Sequence, residues 1–250
     1  MAVRDTVTPE EWETRVDLAA CYRLLDYYDM SDLIGTHISA RVPGEEGAFL
    51  LNPYGMYFDE ITASSLIKVN FDGDVLTENS EYQLNAAGFT IHSAVLEGRP
   101  DVQCSLHTHT RAGIAVSTMD CGLLPLTQHS MRFYKSISYH DYEGVATNLD
   151  ERQRLQRDLG PENQAMILRN HGLLACGRSV SEAFWLNFRL EKSCQAQVDA
   201  MSTGAELKLV PDSVSEHTLG QMQAGGTRFG DIGWPGHLRR LDRIDPSYKH

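Results

Sequence analysis

The stretch Val102-Gln103-Cys104-Ser105-Leu106-His107-Thr108-His109 decides how the chain is read. Small and apolar residues run through it without a charge, so Val102 to Thr108 is expected as a buried strand. Side chains two apart on a strand share a face, and a rise of ~3.3 Å per residue puts two such residues about 7 Å apart. His107 and His109 would then converge from one strand end. A bare pair of this kind is common, and a surface or core pair of histidines is the plain alternative. Arg169-Asn170-His171-Gly172 adds a third imidazole, between the expected strands 165–169 and 173–176. Gly172 would let the backbone turn tightly there. Three imidazoles at two strand ends, with coordination positions left open, fit a catalytic metal site better than a closed structural one. One divalent ion is expected, and imidazole nitrogen suits zinc as well as manganese or iron.

Working outward, Thr8-Pro9-Glu10-Glu11 opens a first helix. Thr8 suits the cap, Pro9 the first helical position, and Glu11 the far side of a capping box. Strands are expected at 38–42, 48–51 and 67–71, with a short helical turn at 61–66. Asn85 to Glu97 reads as a helix stopped by Gly98-Arg99-Pro100. A helix follows at 110–119, a strand at 136–139, a polar helix at 150–159 and a long helix at 180–201. Helices and strands interleave, yet several strands lie close enough together for hairpins. The expected class is therefore α/β, one layered domain with a mostly antiparallel sheet. Periodicity weakens after Gly204, so residues 1–205 form the expected domain. Residues 206–250 form an extension packing on it or on a neighbouring subunit.

Composition bounds the partners. The chain has 250 residues, 42% hydrophobic and 22% charged, with a formal net charge of −12. That charge argues against nucleic acid as a partner, which needs a basic surface. No stretch approaches the ~20 apolar residues of a membrane span. The acidic N-terminus lacks the apolar core of a signal peptide. Five scattered cysteines without a CxxC pair fit reduced thiols, so a cytoplasmic location is expected.

Other polar segments say less on their own. Thr36-His37-Ile38-Ser39 and Asn52-Pro53-Tyr54-Gly55 could bind an anion through backbone N–H groups, but ordinary turns explain them as well. His92, on a helix, reads as a hydrogen-bonded packing residue. His140 reads as structural at a strand end, and nothing local singles out His129.

Taken in order, these segments resemble the class II aldolase/adducin family. The resemblance rests on residues 36–41, 52–55 and 60–64, then 87–94, Arg99-Pro100-Asp101, His107-Thr108-His109-Thr110 and Arg169-Asn170-His171-Gly172-Leu173. It spans about residues 12 to 205 and lies closer to the adducin-like branch than to the sugar-phosphate aldolases. It implies a three-layer α/β/α fold, a homotetramer with active sites near subunit boundaries, and a divalent ion on His107, His109 and His171. In such enzymes the ion is a Lewis acid that stabilises an enolate or enediolate as a C–C bond breaks. Members include aldolases, epimerases, dehydratases, decarboxylases and an iron-dependent oxygenase type.

The chain departs from the aldolase pattern in two places. Gly88 stands where those aldolases carry a catalytic glutamate, and Ala86 and Ala87 stand near their phosphate-holding serines. His129 falls near the position of their proton-donating tyrosine, and a histidine there could serve as general acid or base. The resemblance thus implies His129 as catalytic, and His37, Ser39, Asn52, Tyr54, Gly55 and Asn170 as substrate contacts. The expected function is a metal-dependent lyase, a decarboxylase or aldolase. Its small-molecule substrate would be a non-phosphorylated hydroxy, keto or hydroxyaromatic carboxylic acid. An Fe(II) oxygenase on the same scaffold and a non-catalytic adducin-like interaction module are the alternatives.

Overall fold

The computed structural model describes residues 2–77, 82–224 and 229–250. Seven strands form one sheet in the order β3-β2-β1-β4-β7-β6-β5. They are β1 (His37–Arg41), β2 (Ala48–Leu51), β3 (Ile67–Asn70), β4 (Cys104–Thr108), β5 (Ile137–His140), β6 (Ala165–Leu168) and β7 (Gly172–Gly177). All neighbours run antiparallel except β5 and β6, which are parallel. The mostly antiparallel sheet read from the sequence is the sheet found. β4 lies at its centre, and every residue of β4 is buried, as expected of a strand covered on both faces.

Seven α-helices surround the sheet among the described residues: α1 (Pro9–Tyr27), α2 (Ala86–Gly98), α3 (Arg111–Ser117), α4 (Glu151–Leu159), α5 (Val180–Ser202), α6 (Asp212–Gln223) and α7 (Phe229–Ile244). Strand alternation sorts the core into two layers. Ile38, Ala40, Leu50, Cys104 and Leu106 pack with α1, α5 and Trp234 of α7, and Leu173 and Ala175 extend that face toward α3 and α5. Phe49, Leu51, Met166, Leu174 and Cys176 pack on the opposite face against Phe89, Ala94 and Val95 of α2 and Leu155 and Leu159 of α4. The result is a three-layer α/β/α sandwich.

Element ends moved where local chemistry competed. Thr8 accepts the Glu11 N–H at 3.1 Å, but the Glu11 carboxylate does not close a capping box. It is buried instead between Arg15 and Lys68, at 2.8 and 2.7 Å. The helical turn expected at 61–66 lies earlier, at Phe58–Glu60, where the Tyr57 N–H donates to the Glu60 carboxylate at 2.7 Å. Residues 62–65 are held by reciprocal Thr62 and Ser65 bonds. The strand expected at 136–139 is shifted one residue later. The helix expected at 110–119 is shorter, Arg111–Ser117.

After Gly204 the described residues include helices α6 and α7, and this segment joins the core. Trp234 is buried and donates to Asp17 at 2.8 Å. The N–H groups of Ala63 and Ser64 donate to the carbonyls of Tyr248 and His250 at 2.9 and 2.8 Å. All five cysteines are free, and only Cys121 is exposed. No helix among the described residues is long and apolar enough to cross a membrane.

The Glu11 cluster is the most exposed to a single substitution. Arg15 also donates to the carbonyls of Ala63 and Leu66, so it is fixed in place and cannot reach water. Glu11→Ala should therefore cost about 3–5 kcal/mol, the usual penalty for stranding a buried charge. Urea unfolding measures it, and a loss below about 1 kcal/mol would show that the cluster is well solvated.

Candidate metal centre

His107 is the penultimate residue of β4. It lies opposite His37 of β1 on one side and Leu174 of β7 on the other. His109 follows just past the strand end, and His171 sits in the tight link between β6 and β7. Ligand nitrogens of the three lie within 4.8 Å of one another. The sequence reading gave Gly172 the job of turning the backbone, but the left-handed residue is Asn170, at φ +56°. Gly172 matters for space. A Cβ there would stand 2.4 Å from the Thr108 carbonyl oxygen, 3.2 Å from His109 and 3.4 Å from His107. Only a residue without a side chain lets this link close onto β4.

The hydrogen bonds test whether these residues suit a cation. Nδ1 of His107 is 2.9 Å from the Leu173 carbonyl, which can only accept, so Nδ1 carries the proton and a neutral ring leaves Nε2 bare. Nδ1 of His109 is 2.9 Å from the Asp32 carboxylate, with the same consequence. The two Nε2 atoms face each other at 2.8 Å. Two bare nitrogens at that distance repel unless a proton or a cation serves both. Burial holds His107 well below the usual imidazole range, and the neighbouring His171, His37 and His109 push the same way. Burial, then His109 and His140, bring His171 down to about 4. Protonation of His107 and His171 is thus opposed, and a divalent ion fits the donor set. Outer nitrogens fixed by a carbonyl and a carboxylate are the usual support for histidine ligands.

A second histidine pair lies behind the first. Nδ1 of His37 is 2.7 Å from Nε2 of His92, and Nδ1 of His92 is 2.6 Å from the Ser39 hydroxyl. All three are buried. Burial lowers His92 to about 3, against the pull of its bond to His37. His37 packs its ring 5.1 Å from that of His107. A Cβ at Gly88 would stand 2.7 Å from the His37 ring. The imidazole of His37 therefore fills the room that a side chain at position 88 would need.

Other expected site residues are scattered. Asn52 is buried, accepting from the Tyr22 hydroxyl at 2.9 Å, and Ser39 is engaged by His92, so both are tied up inside the fold. Tyr54 is exposed and pairs its backbone with Gln83; neither it nor Gly55 lines the clefts beside His171. Asn170 lines an open cleft of about 530 Å³ with Arg169, Asp141 and Tyr142. His129 does not meet the triad within one chain. It lines a separate cavity against α5 and the C-terminal helices.

Two contributors escaped the sequence reading. Asp32 comes from the loop before β1 and has no local signature. His92 had one: it lies one helical turn from Gly88, on the same face. His140, read as structural, does end β5, and its Nδ1 pairs with Asp158 at 2.7 Å.

The chain belongs to the family of the Class II Aldolase and Adducin N-terminal domain, whose model matches residues 16–198. It is 52% identical over 251 residues to a Pseudomonas aeruginosa protein provisionally named an aldolase class 2 protein, covering 99% of this chain and 96% of that one. Alpha-adducin of Mus musculus is 45% identical over 190 residues, 76% of this chain but only 26% of that protein. Among solved structures, an aldolase II superfamily protein from Pseudomonas syringae superposes with a TM-score of 0.94 at 47% identity, covering both chains fully. The L-fuculose 1-phosphate aldolase of Glaciozyma antarctica superposes with a TM-score of 0.85 at 27% identity, over 96% of this chain and 93% of that one.

Two outcomes are expected. Gly172→Ala should destabilise the protein by about 1–3 kcal/mol, as overpacking does, and should lower its metal content; denaturant melts and elemental analysis check both. In metal-free protein, His92 and His171 stay neutral when folded but protonate near 6.5 when unfolded. Stability should therefore fall as pH drops from about 6.5 toward about 4. The fully buried His92 contributes up to about 1.4 kcal/mol per pH unit, and the partly exposed His171 less. A flat profile across this window for metal-free protein would contradict the neutral assignment.

Proposed function

We propose that the chain is a divalent-metal-dependent carbon–carbon lyase, a decarboxylase or aldolase. Its substrate would be a non-phosphorylated hydroxy or keto acid, or a hydroxyaromatic carboxylic acid. The observation that carries this reading is the pair of Nε2 atoms of His107 and His109. They are aimed at one another while their outer nitrogens are fixed by Leu173 and Asp32. His107, His109 and His171 would hold the ion, zinc first, with manganese or iron as alternatives. When bound, such an ion supplies Lewis-acid stabilisation of negative charge developing on substrate oxygen.

The rest follows from the chain's own groups. Ala86 and Ala87 offer no hydroxyls, so a phosphate gains nothing there. Arg169 lines the open cleft beside His171, its guanidinium steadied over the Tyr139 ring at 4.2 Å and by a bond to the Met119 carbonyl at 2.7 Å. A planar cation so placed suits a substrate carboxylate. His37 takes the room above Gly88, and His92, itself bonded to Ser39, holds its ring. It is the nearest candidate to carry the proton that a glutamate carries in related aldolases. His129 could join only from a neighbouring subunit, as a homotetramer with boundary active sites would allow.

A second reading, a binding module without catalysis, draws on the identity with alpha-adducin. Elemental analysis separates the two. The lyase reading expects close to one ion per chain in the wild type, lost in His109→Ala and bound about 10–100-fold more weakly in Asp32→Ala. Metal-loaded protein should then release CO2 or an aldehyde from hydroxy or keto acids. Metal-replete wild type without bound metal would overturn the proposal, and activity that needs iron and oxygen would redirect it to an oxygenase.

A further inference from the structure

Ser39, His92 and His37 stand in a row inside the chain, all buried. The Ser39 hydroxyl lies 2.6 Å from Nδ1 of His92, and Nε2 of His92 lies 2.7 Å from Nδ1 of His37. Burial lowers the proton affinity of both rings, so each neutral ring has one proton to place. Such a row can order its protons in two ways. In the first, Ser39 donates to His92, His92 donates to His37, and His37 keeps its proton on Nε2. In the second, every bond is reversed and Nε2 of His37 is bare. The order decides whether His37 offers a donor or an acceptor at its far end.

The serine decides between them. Its side chain is fully buried, and among the described residues the only group its hydroxyl meets is His92. Ser105 lies opposite on β4, but its own hydroxyl has no partner, so it is no alternative acceptor. In the second order the Ser39 proton would have nowhere to go, and a buried donor without an acceptor bears its full desolvation cost. In the first order every contact in the row is satisfied. The far nitrogen then lies toward the site. A Cβ at position 88 would stand 3.1 Å from Nε2 of His37, and the His37 ring packs 5.1 Å from that of His107. Among the described residues this nitrogen has no hydrogen-bond partner.

We propose that Ser39 and His92 are positioning residues that fix the proton order, so that His37 presents an Nε2–H donor in the room left by Gly88. The ligand group it favours is one that only accepts, such as a carboxylate or carbonyl oxygen. The proton order needs no metal, whereas the role beside the triad rests on the lyase reading.

Nitrogen NMR of the metal-free chain, with its histidines labelled with nitrogen-15, reads the order directly, because bare and protonated ring nitrogens resonate far apart. The rings are assigned by loss of signals in His37→Asn and His92→Asn. At neutral pH, wild-type His37 should be at least about nine-tenths in the Nε2–H form, since a buried hydroxyl without an acceptor costs about a decade in population or more. In Ser39→Ala the Nδ1–H share of His37 should rise severalfold, with thermal melts confirming that the variant folds. A wild-type His37 protonated on Nδ1 overturns the proposal, and so does an unchanged tautomer in Ser39→Ala. Oxalate, whose oxygens only accept, then probes the role in zinc-loaded protein. It should bind and move the His37 Nε2–H proton downfield, with elemental analysis showing zinc retained. Oxalate that fails to bind, or that binds and leaves this proton unmoved, overturns the role. A chain that takes up no zinc would lose that role together with the metal centre, while the metal-free spectrum still decides the proton order.

Discussion

The site depends on how closely the β6–β7 link approaches the end of β4. That approach brings His171 to His107 and His109, and it is possible because position 172 carries no side chain. The sheet supplies the rest. β4 is buried on both faces, so its end cannot drift, and pairing with β1 and β7 fixes the direction of His107. A site built on paired strands is held more rigidly than one built on loops. The loop contribution, Asp32, orients a ring that the sheet has already placed.

Much of this was legible in the sequence because it follows from periodicity. Alternation and apolar runs located every strand and helices α1 to α5, and the i, i+2 spacing put His107 and His109 on one face. What escaped depended on contacts between distant segments. Nothing in the sequence between Asp32 and Ile34 says that a carboxylate there reaches His109. Glu11 looked like half of a capping box because that rule is local, but in the fold two cations and the interior claimed its carboxylate. His129 shows the limit of a single chain: within it the fold places His129 in another cavity, and only a neighbouring subunit could bring it to a triad.

The C-terminal segment was illegible for a different reason. Its helices bury few residues each, Ser215 in α6 and Gly230, Trp234 and Leu241 in α7, so a hydrophobic stripe hardly shows. Attachment comes from a few specific bonds, such as Trp234 to Asp17 and the last residues' carbonyls to Ala63 and Ser64. Such contacts leave almost no pattern in a single sequence, yet they close one face of the sandwich over α1.

Gly88 and His37 explain why the metal centre is a firmer inference than the reaction. A glutamate at position 88 and the present His37 cannot both occupy the space, since even a methyl group there would meet the ring at 2.7 Å. A side chain at position 88 and the inward placement of His37 therefore exclude one another. The three histidines of the triad are held elsewhere, by β4 and by the β6–β7 link, whereas position 88 belongs to the first turn of α2. The triad and position 88 thus sit on separate elements of the fold. One can be preserved while the other is rebuilt, and membership of the family speaks more directly to the ion than to the bond that is broken.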